Sequence, residues 1–224
     1  MVVLSKYMKT YLENHLDDKI KVHFIKHPIT NNPPIKFNYE KFASLKEYEF
    51  VLLGRQLRYV STLFYLTTSC NKVWLTNNDS SILKDGISAL AKKQYTERHP
   101  TPVPNAGLNS NISFKHLSDN DYDKYITENI ILIDLQNASA NNSVLEMIVT
   151  CTPFFVNKIP AVIDYIGEDY PLYFDNVSDI ENVINDRELL LEKYKITHQY
   201  LTNLDKTDIS YEHFNSEMLK IINC

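Results

Sequence analysis

The chain has 224 residues with 28 acidic against 23 basic side chains, a net charge of -5, so it carries no broad cationic field of the kind that binds nucleic acid nonspecifically. No apolar stretch approaches the ~20 residues needed to span a bilayer, and the VVL run after Met1 lacks a basic leader and a cleavage site, which reads as a cytoplasmic protein. With 44% hydrophobic residues, the chain can build one good core with elaborations or two small domains.

Residues 2–4 read as a buried strand. Ser5 is a plausible N-cap for a helix through Asn14 that places Tyr7, Met8, Tyr11 and Leu12 on one face. A strand is predicted at 21–25, and the Pro- and Asn-rich segment that follows marks a boundary. Strands at 48–54, 72–76, 112–117, 130–135 and 153–157 then alternate with helices at 56–68, 80–95, 120–127 and 142–150. A Pro-rich loop at 99–107 interrupts the alternation. Continuous apolar strands alternating with helices predict an α/β domain, a doubly wound Rossmann-like parallel sheet covered on both faces. From Val177 onward, apolar residues at three- and four-residue spacing predict packing helices. The expected division is therefore 1–31, the remnant or end of a preceding domain; 32–176, the Rossmann-like domain; and 177–224, C-terminal helices. Cys70, Cys151 and Cys224 show no CxxC spacing and read as inert thiols.

The chemistry concentrates at 137–146, after the apolar strand "IILIDL". Open parallel sheets bind ligands outside the carboxyl ends of their strands. Ala138, Ser139 and Ala140 are small enough to let a ligand approach the backbone. Asn141, Asn142 or Ser143 can cap a helix whose unpaired N–H groups attract phosphate. Glu146 lies among Val144, Leu145, Met147, Ile148 and Val149, where a charge is costly without a partner. Past a diphosphate on the helix start, the two hydroxyls of a ribose would supply that partner.

The segments "LLGRQLR", "FKHLSDNDYDKYITENIILIDL", "NNSVLEMIVTCTPFFVN" and "IPAVIDYIGEDYPLYF" together resemble the C-terminal, nucleotide-sugar-binding domain of GT-B glycosyltransferases over about Tyr48 to Phe174. The last two are most similar to a viral and related group. The resemblance implies metal-independent transfer of a sugar from a nucleotide-diphosphate sugar to a glycan or glycoconjugate acceptor, with that donor as substrate and no further cofactor. It places Glu146 on the ribose, Asn142 and Ser143 on the phosphates, Arg55 and Arg58 as cations, and His116 with Leu117 along the base. Many retaining members carry two glutamates eight positions apart, and the earlier position here is Ala138. Residues 1–31 resemble only the last strand-helix-strand of the acceptor domain, so no catalytic base is assigned. The missing half of the cleft would come from that acceptor domain or from a dimer partner.

Blander readings stand beside these. Arg55 and Arg58 could be solvated cations on a helix whose apolar face is Leu57, Val60, Leu63, Phe64 and Thr67. His116 could be a strand-end histidine, and His27 a turn histidine. The acids of "DYD" at 121–123, which imitate a metal-binding pair, read as helix-opening residues that favour the macrodipole. A nucleotide-sugar epimerase and a non-catalytic nucleotide-binding or interaction module are the alternative functions.

Overall fold

The computed structural model describes residues 1–54, 56–76, 84–99, 111–138 and 140–223. The chain opens with β1 (Val2–Val3), α1 (Lys6–Glu13) and β2 (His23–Phe24), the two strands pairing in parallel. Ser5 caps α1 as expected, its Oγ accepting from the Met8 N–H at 3.2 Å. No helix or strand covers residues 25–38. Next comes α2 (Tyr39–Ser44), capped by Asn38 through the Lys41 N–H.

The main sheet is built from β3 (Glu49–Leu53), β4 (Asn71–Leu75), β5 (Ile112–Lys115), β6 (Ile130–Ile133), β7 (Phe154–Asn157) and β8 (Tyr173–Phe174). All its pairings are parallel, in the order β5-β4-β3-β6-β7-β8. Its connections carry α3 (Ser61–Tyr65), α4 (Lys84–Arg98), α5 (Asp119–Glu128), α6 (Asn142–Thr150) and α7 (Pro160–Ile166). Every residue of β6 is fully buried, which a four-residue apolar strand achieves only when helices cover both faces of the sheet. The Rossmann-like α/β architecture is therefore as expected.

At the C-terminus α8 (Val177–Ile184) and α9 (Arg187–Asn203) pack back onto the core, and a 3-10 turn at Thr207–Ile209 leads to α10 (Tyr211–Ile222). Tyr194 of α9 is fully buried and stacks on Phe42 of α2 at 4.6 Å, and Tyr48 stacks on the same Phe42 ring at 4.4 Å. α10 buries none of its residues.

Three departures from the predicted elements have physical causes. The helix expected at 56–68 shrinks to the five residues of α3, because Leu57 takes a left-handed backbone (φ 52°) and Arg58 pairs with Leu135 in an isolated antiparallel bridge. Neither geometry fits a right-handed helix. Leu57, assigned to the apolar face of that helix, is instead 57% exposed. In α1, Tyr7 and Tyr11 also point outward, and Tyr11 stacks on His15. The elements α2 and β8 had no counterpart in the sequence reading. The Pro-rich loop lies, from residue 100 on, outside the described residues.

The N-terminal unit is tied to the main domain through α7. The Lys6 N–H donates to Asp164 Oδ2 (2.9 Å), the Tyr165 hydroxyl donates to the Leu4 carbonyl (3.2 Å), and the His27 N–H donates to the same hydroxyl (3.0 Å). One buried hydroxyl thus bridges two points of the first unit. Tyr165→Phe should lower stability by about 1–2 kcal/mol and speed amide exchange at Ile25 and His27; exchange unchanged at both amides would show that the bridge contributes nothing.

Candidate functional site

The strands β3, β4 and β5 step one way across the sheet and β6, β7 and β8 the other. The chain reverses direction across the sheet between β3 and β6, and the crevice outside the carboxyl ends at such a point is the usual ligand position in open α/β sheets. Gly54 follows β3 with φ 85°, and a Cβ on it would meet Arg58 Nη2 at 2.7 Å. Glycine here serves both the left-handed backbone and the close approach of the guanidinium.

Arg58 is buried, only 6% exposed, which excludes its reading as a solvated cation. Its Nε donates to the Leu53 carbonyl (2.8 Å) and Nη1 to the Gln56 carbonyl (3.0 Å), while Nη2 lies 3.4 Å from Asn141 Oδ1 and 3.3 Å from Ser143 Oγ. Its own carbonyl accepts from Gln94 and Gln136. Burial lowers the guanidinium to about 10, with Tyr122, Asp134 and Glu146 acting in the opposite sense, so the group is charged at neutral pH. A fixed positive charge therefore lies behind the first turn of α6.

That turn begins as the sequence predicts, at Asn142. Asn141 is the N-cap, its Oδ1 accepting from the Val144 N–H at 3.2 Å. The N–H groups of Asn142 and Ser143 have no acceptor among the described residues and carry the positive end of the helix dipole.

Glu146, one turn in, meets Tyr122 of α5, whose hydroxyl donates to Oε2 at 2.7 Å. Burial raises the Glu146 carboxyl above its ordinary value, with the Tyr122 hydrogen bond pulling it back down. The Tyr122 hydroxyl is raised above its usual range by burial and by the carboxylate, so it remains a donor. Sequence reasoning missed Tyr122 because attention in "DYD" went to the acids. Of those acids Asp121 lies in the first turn of α5, beside Asp119, while Asp123 lies beyond it, and Asp121 accepts from Ser118 Oγ.

A second polar cluster closes the floor of the crevice. Asp134, fully buried just past β6, accepts from Arg98 Nη1 (2.6 Å) and from Thr62 Oγ1 (2.5 Å), and Arg98 lies over the Tyr59 ring at 4.3 Å. Burial raises the Asp134 carboxyl, opposed mainly by Arg98. Arg98 was not singled out in the sequence, because nothing local marks a helix-terminal arginine as the partner of a strand-end aspartate.

The structure thus brings Arg58, Asn142, Ser143 and Glu146 to one helix start. His116, exposed, and Leu117, half-buried against the core, follow β5 and lead into α5 on the flank of Tyr122. Arg55 and Ser139 lie outside the described residues. His27 has its Nδ1 buried with no partner. Cys70 and Cys151 are free thiols. Among the described residues no group of three or more His, Cys, Asp or Glu side chains could hold a metal ion, and no helix is long and apolar enough to cross a membrane. A wider groove by Glu47, Tyr48, Asn71 and Arg187 opens at the amino ends of β3 and β4, and none of the candidate residues lines it.

No protein-family model and no curated protein matches the sequence. Solved structures match its fold. A mutant of S. aureus TarM, in complex with fondaparinux, alpha-GlcNAc-glycerol and UDP, is 15% identical with a TM-score of 0.65, over 100% of this chain and 43% of TarM. HepE from Anabaena in complex with UDP-glucose is 10% identical with a TM-score of 0.68, over 99% of this chain and 63% of HepE. WaaG, a glycosyltransferase involved in lipopolysaccharide biosynthesis, is 13% identical with a TM-score of 0.59, over 91% of this chain and 58% of WaaG. At these identities the likeness defines the fold, the Rossmann-like α/β fold of GT-B glycosyltransferases. The chain spans about half the length of these proteins.

The raised Glu146 carboxyl has a consequence for stability. A carboxyl whose folded value exceeds its unfolded value favours folding when protonated, and this contribution is lost as pH rises through the folded value. Glu146→Gln should therefore be more stable than the native chain at pH 7, with the advantage vanishing as pH falls below the unfolded carboxylate value of about 4.3. Tyr122→Phe should cost about 1.5–3 kcal/mol at pH 7, as for a hydrogen bond to a charged group, and less in the Glu146→Gln background. Urea unfolding at several pH values reads both; a native chain as stable as Glu146→Gln at pH 7 would mean that the carboxylate is not strained.

Proposed function

We propose that this chain binds a nucleotide-diphosphate sugar and supplies the donor-binding part of a glycosyltransferase. The observation that carries the reading is Glu146, a half-buried acid held by Tyr122 one turn inside a helix whose first N–H groups have no acceptor among the described residues and are backed by the Arg58 charge. A diphosphate on Asn142 and Ser143 would satisfy the N–H groups, and the adjacent ribose hydroxyls would donate to Glu146. His116 and Leu117, on the β5 flank, would lie along the base. Arg55 would add a second cation.

In chemical terms, fixed N–H dipoles and arginine charge would stabilise the leaving nucleoside diphosphate without a metal. The acceptor, a glycan or glycoconjugate, would dock against the half of the cleft that this chain does not span, provided by an acceptor domain or a second subunit. Residues 1–31 would be the end of that acceptor domain, with 32–176 the donor domain and 177–224 its C-terminal helices. UDP and UDP-glucose in the TarM and HepE structures support a nucleotide-sugar ligand for this fold. The closer likeness to viral members rests on the sequence pattern alone.

Calorimetric titration with nucleoside diphosphates tests the reading. Glu146→Ala should weaken binding by about 1.5–3 kcal/mol, and the 2′-deoxy nucleotide should lose part of the same energy in the native chain. Native affinity in a folded Glu146→Ala protein would sink the ribose assignment. Incubation with labelled donor and candidate acceptors then separates transfer from epimerisation and from binding alone.

A further inference from the structure

Beside the first turn of α6, on the side of α7, lies a small recess lined by Ala138, Ala140, Asn141, Val144, Ala161, Val162 and Tyr165. Its wall is almost wholly carbon, with room for about one methyl-sized group. Among the described residues, two polar side chains line it, and the oxygen of each is engaged. Asn141 Oδ1 accepts from the Val144 N–H and faces Arg58 Nη2, and the Tyr165 hydroxyl donates to the Leu4 carbonyl while accepting from the His27 N–H.

The recess and Glu146 occupy opposite flanks of one helix. Val144 and Glu146 are two residues apart, roughly 200° around the axis, so Val144 faces Ala161 and Val162 of α7 while Glu146 faces Tyr122 of α5. A nucleoside diphosphate whose ribose is held by Glu146 and whose phosphates cap α6 therefore passes its far end towards the recess.

We infer that the recess receives a methyl group of the donor sugar, either the terminal carbon of a 6-deoxy sugar or the methyl of an N-acetyl substituent. The inference rests on the nucleotide-sugar reading and specifies its sugar class. A hydroxyl pushed into this space would leave water for a wall that is almost wholly carbon, which is unfavourable. A methyl would bury apolar surface against Ala138, Ala140, Ala161 and Val162. The carbon wall of Ala138, Ala140, Ala161 and Val162 thus acts as a selector by shape and polarity.

The test begins by titrating nucleoside diphosphates of each common base and keeping the tightest. The glucose, 6-deoxyglucose and N-acetylglucosamine derivatives of that nucleotide are then compared. One of the two methyl-bearing donors should bind roughly three- to tenfold more tightly than the glucose donor, and which one does so separates the two sources of the methyl. Ala161→Val and, as a milder filling at the rim, Ala140→Val should bring the ratio towards one, with circular dichroism and the bare diphosphate titrated alongside to establish that each variant is folded. Equal or tighter binding of the glucose donor by the native chain, with the diphosphate bound, overturns the methyl selection and leaves the nucleotide reading standing. Failure of every nucleoside diphosphate to bind overturns both.

Discussion

The burial of one positive charge organises the carboxyl edge of the sheet. Taking Arg58 out of water is tolerable only if its donors find oxygens, and the chain supplies them with the carbonyls of Leu53 and Gln56. The path needs glycine at 54 and a left-handed turn at Leu57. It also fixes the neighbouring strand end: the Tyr59 N–H donates to the Asp134 carbonyl, the Gln136 N–H to the Leu57 carbonyl, and the Gln136 side chain to the Arg58 carbonyl. The loops after β3 and β6 are in this way cross-linked by backbone bonds instead of moving separately. The start of α6 inherits its position from that arrangement.

Glu146 then becomes intelligible as an acid kept at a disadvantage. A fully solvated carboxylate would hold its charge at little cost but would offer a ligand hydroxyl nothing that water does not. Partial burial against α5 strips water from the carboxylate, and Tyr122 returns one hydrogen bond. The deficit is the state in which a further hydroxyl donor gains most. Ionisable groups with perturbed values are frequent at functional sites, and here the upward perturbation of Glu146 has an identified source in burial.

The sheet was legible in the sequence because its strands are continuous apolar runs, and α6 was legible because Asn141 and the small residues before it punctuate the change from strand to helix period. The oddity of Glu146 was visible as a charge in an apolar helix. Its partner was not: Tyr122 lies 24 residues away in sequence, and periodicity carries no information about which helix meets which. The helix expected at 56–68 failed because its apolar spacing fits a helix while Gly54, the Leu57 backbone and the Arg58 burial demand a loop, a tertiary constraint that overrides local pattern. The short α2 and β8 escaped for a simpler reason. Six residues and two residues are too few to display a period.

An inventory of unsatisfied groups explains why the crevice reads as a site for an anion joined to a hydroxyl-bearing ring. Nearby, Gln94 is engaged through both ends of its amide, Thr62 Oγ1 donates to Asp134, the Tyr165 hydroxyl donates to the Leu4 carbonyl, and Asn141 Oδ1 accepts from the Val144 N–H. Asp134 Oδ1 lacks a partner but is sealed in the core. Among the described residues the helix start offers donors on one side, with the N–H groups of Asn142 and Ser143 without an acceptor, and an acceptor a turn away, the Oε1 of Glu146, with no bond to a described residue. A ligand complementary to that set must place anionic oxygens over the helix end and hydroxyl donors about one turn, ~5 Å, further along. Phosphate esterified to a ribose meets both demands within one connected molecule, whereas a free phosphate would leave Glu146 unsatisfied and a neutral sugar would leave the helix end bare.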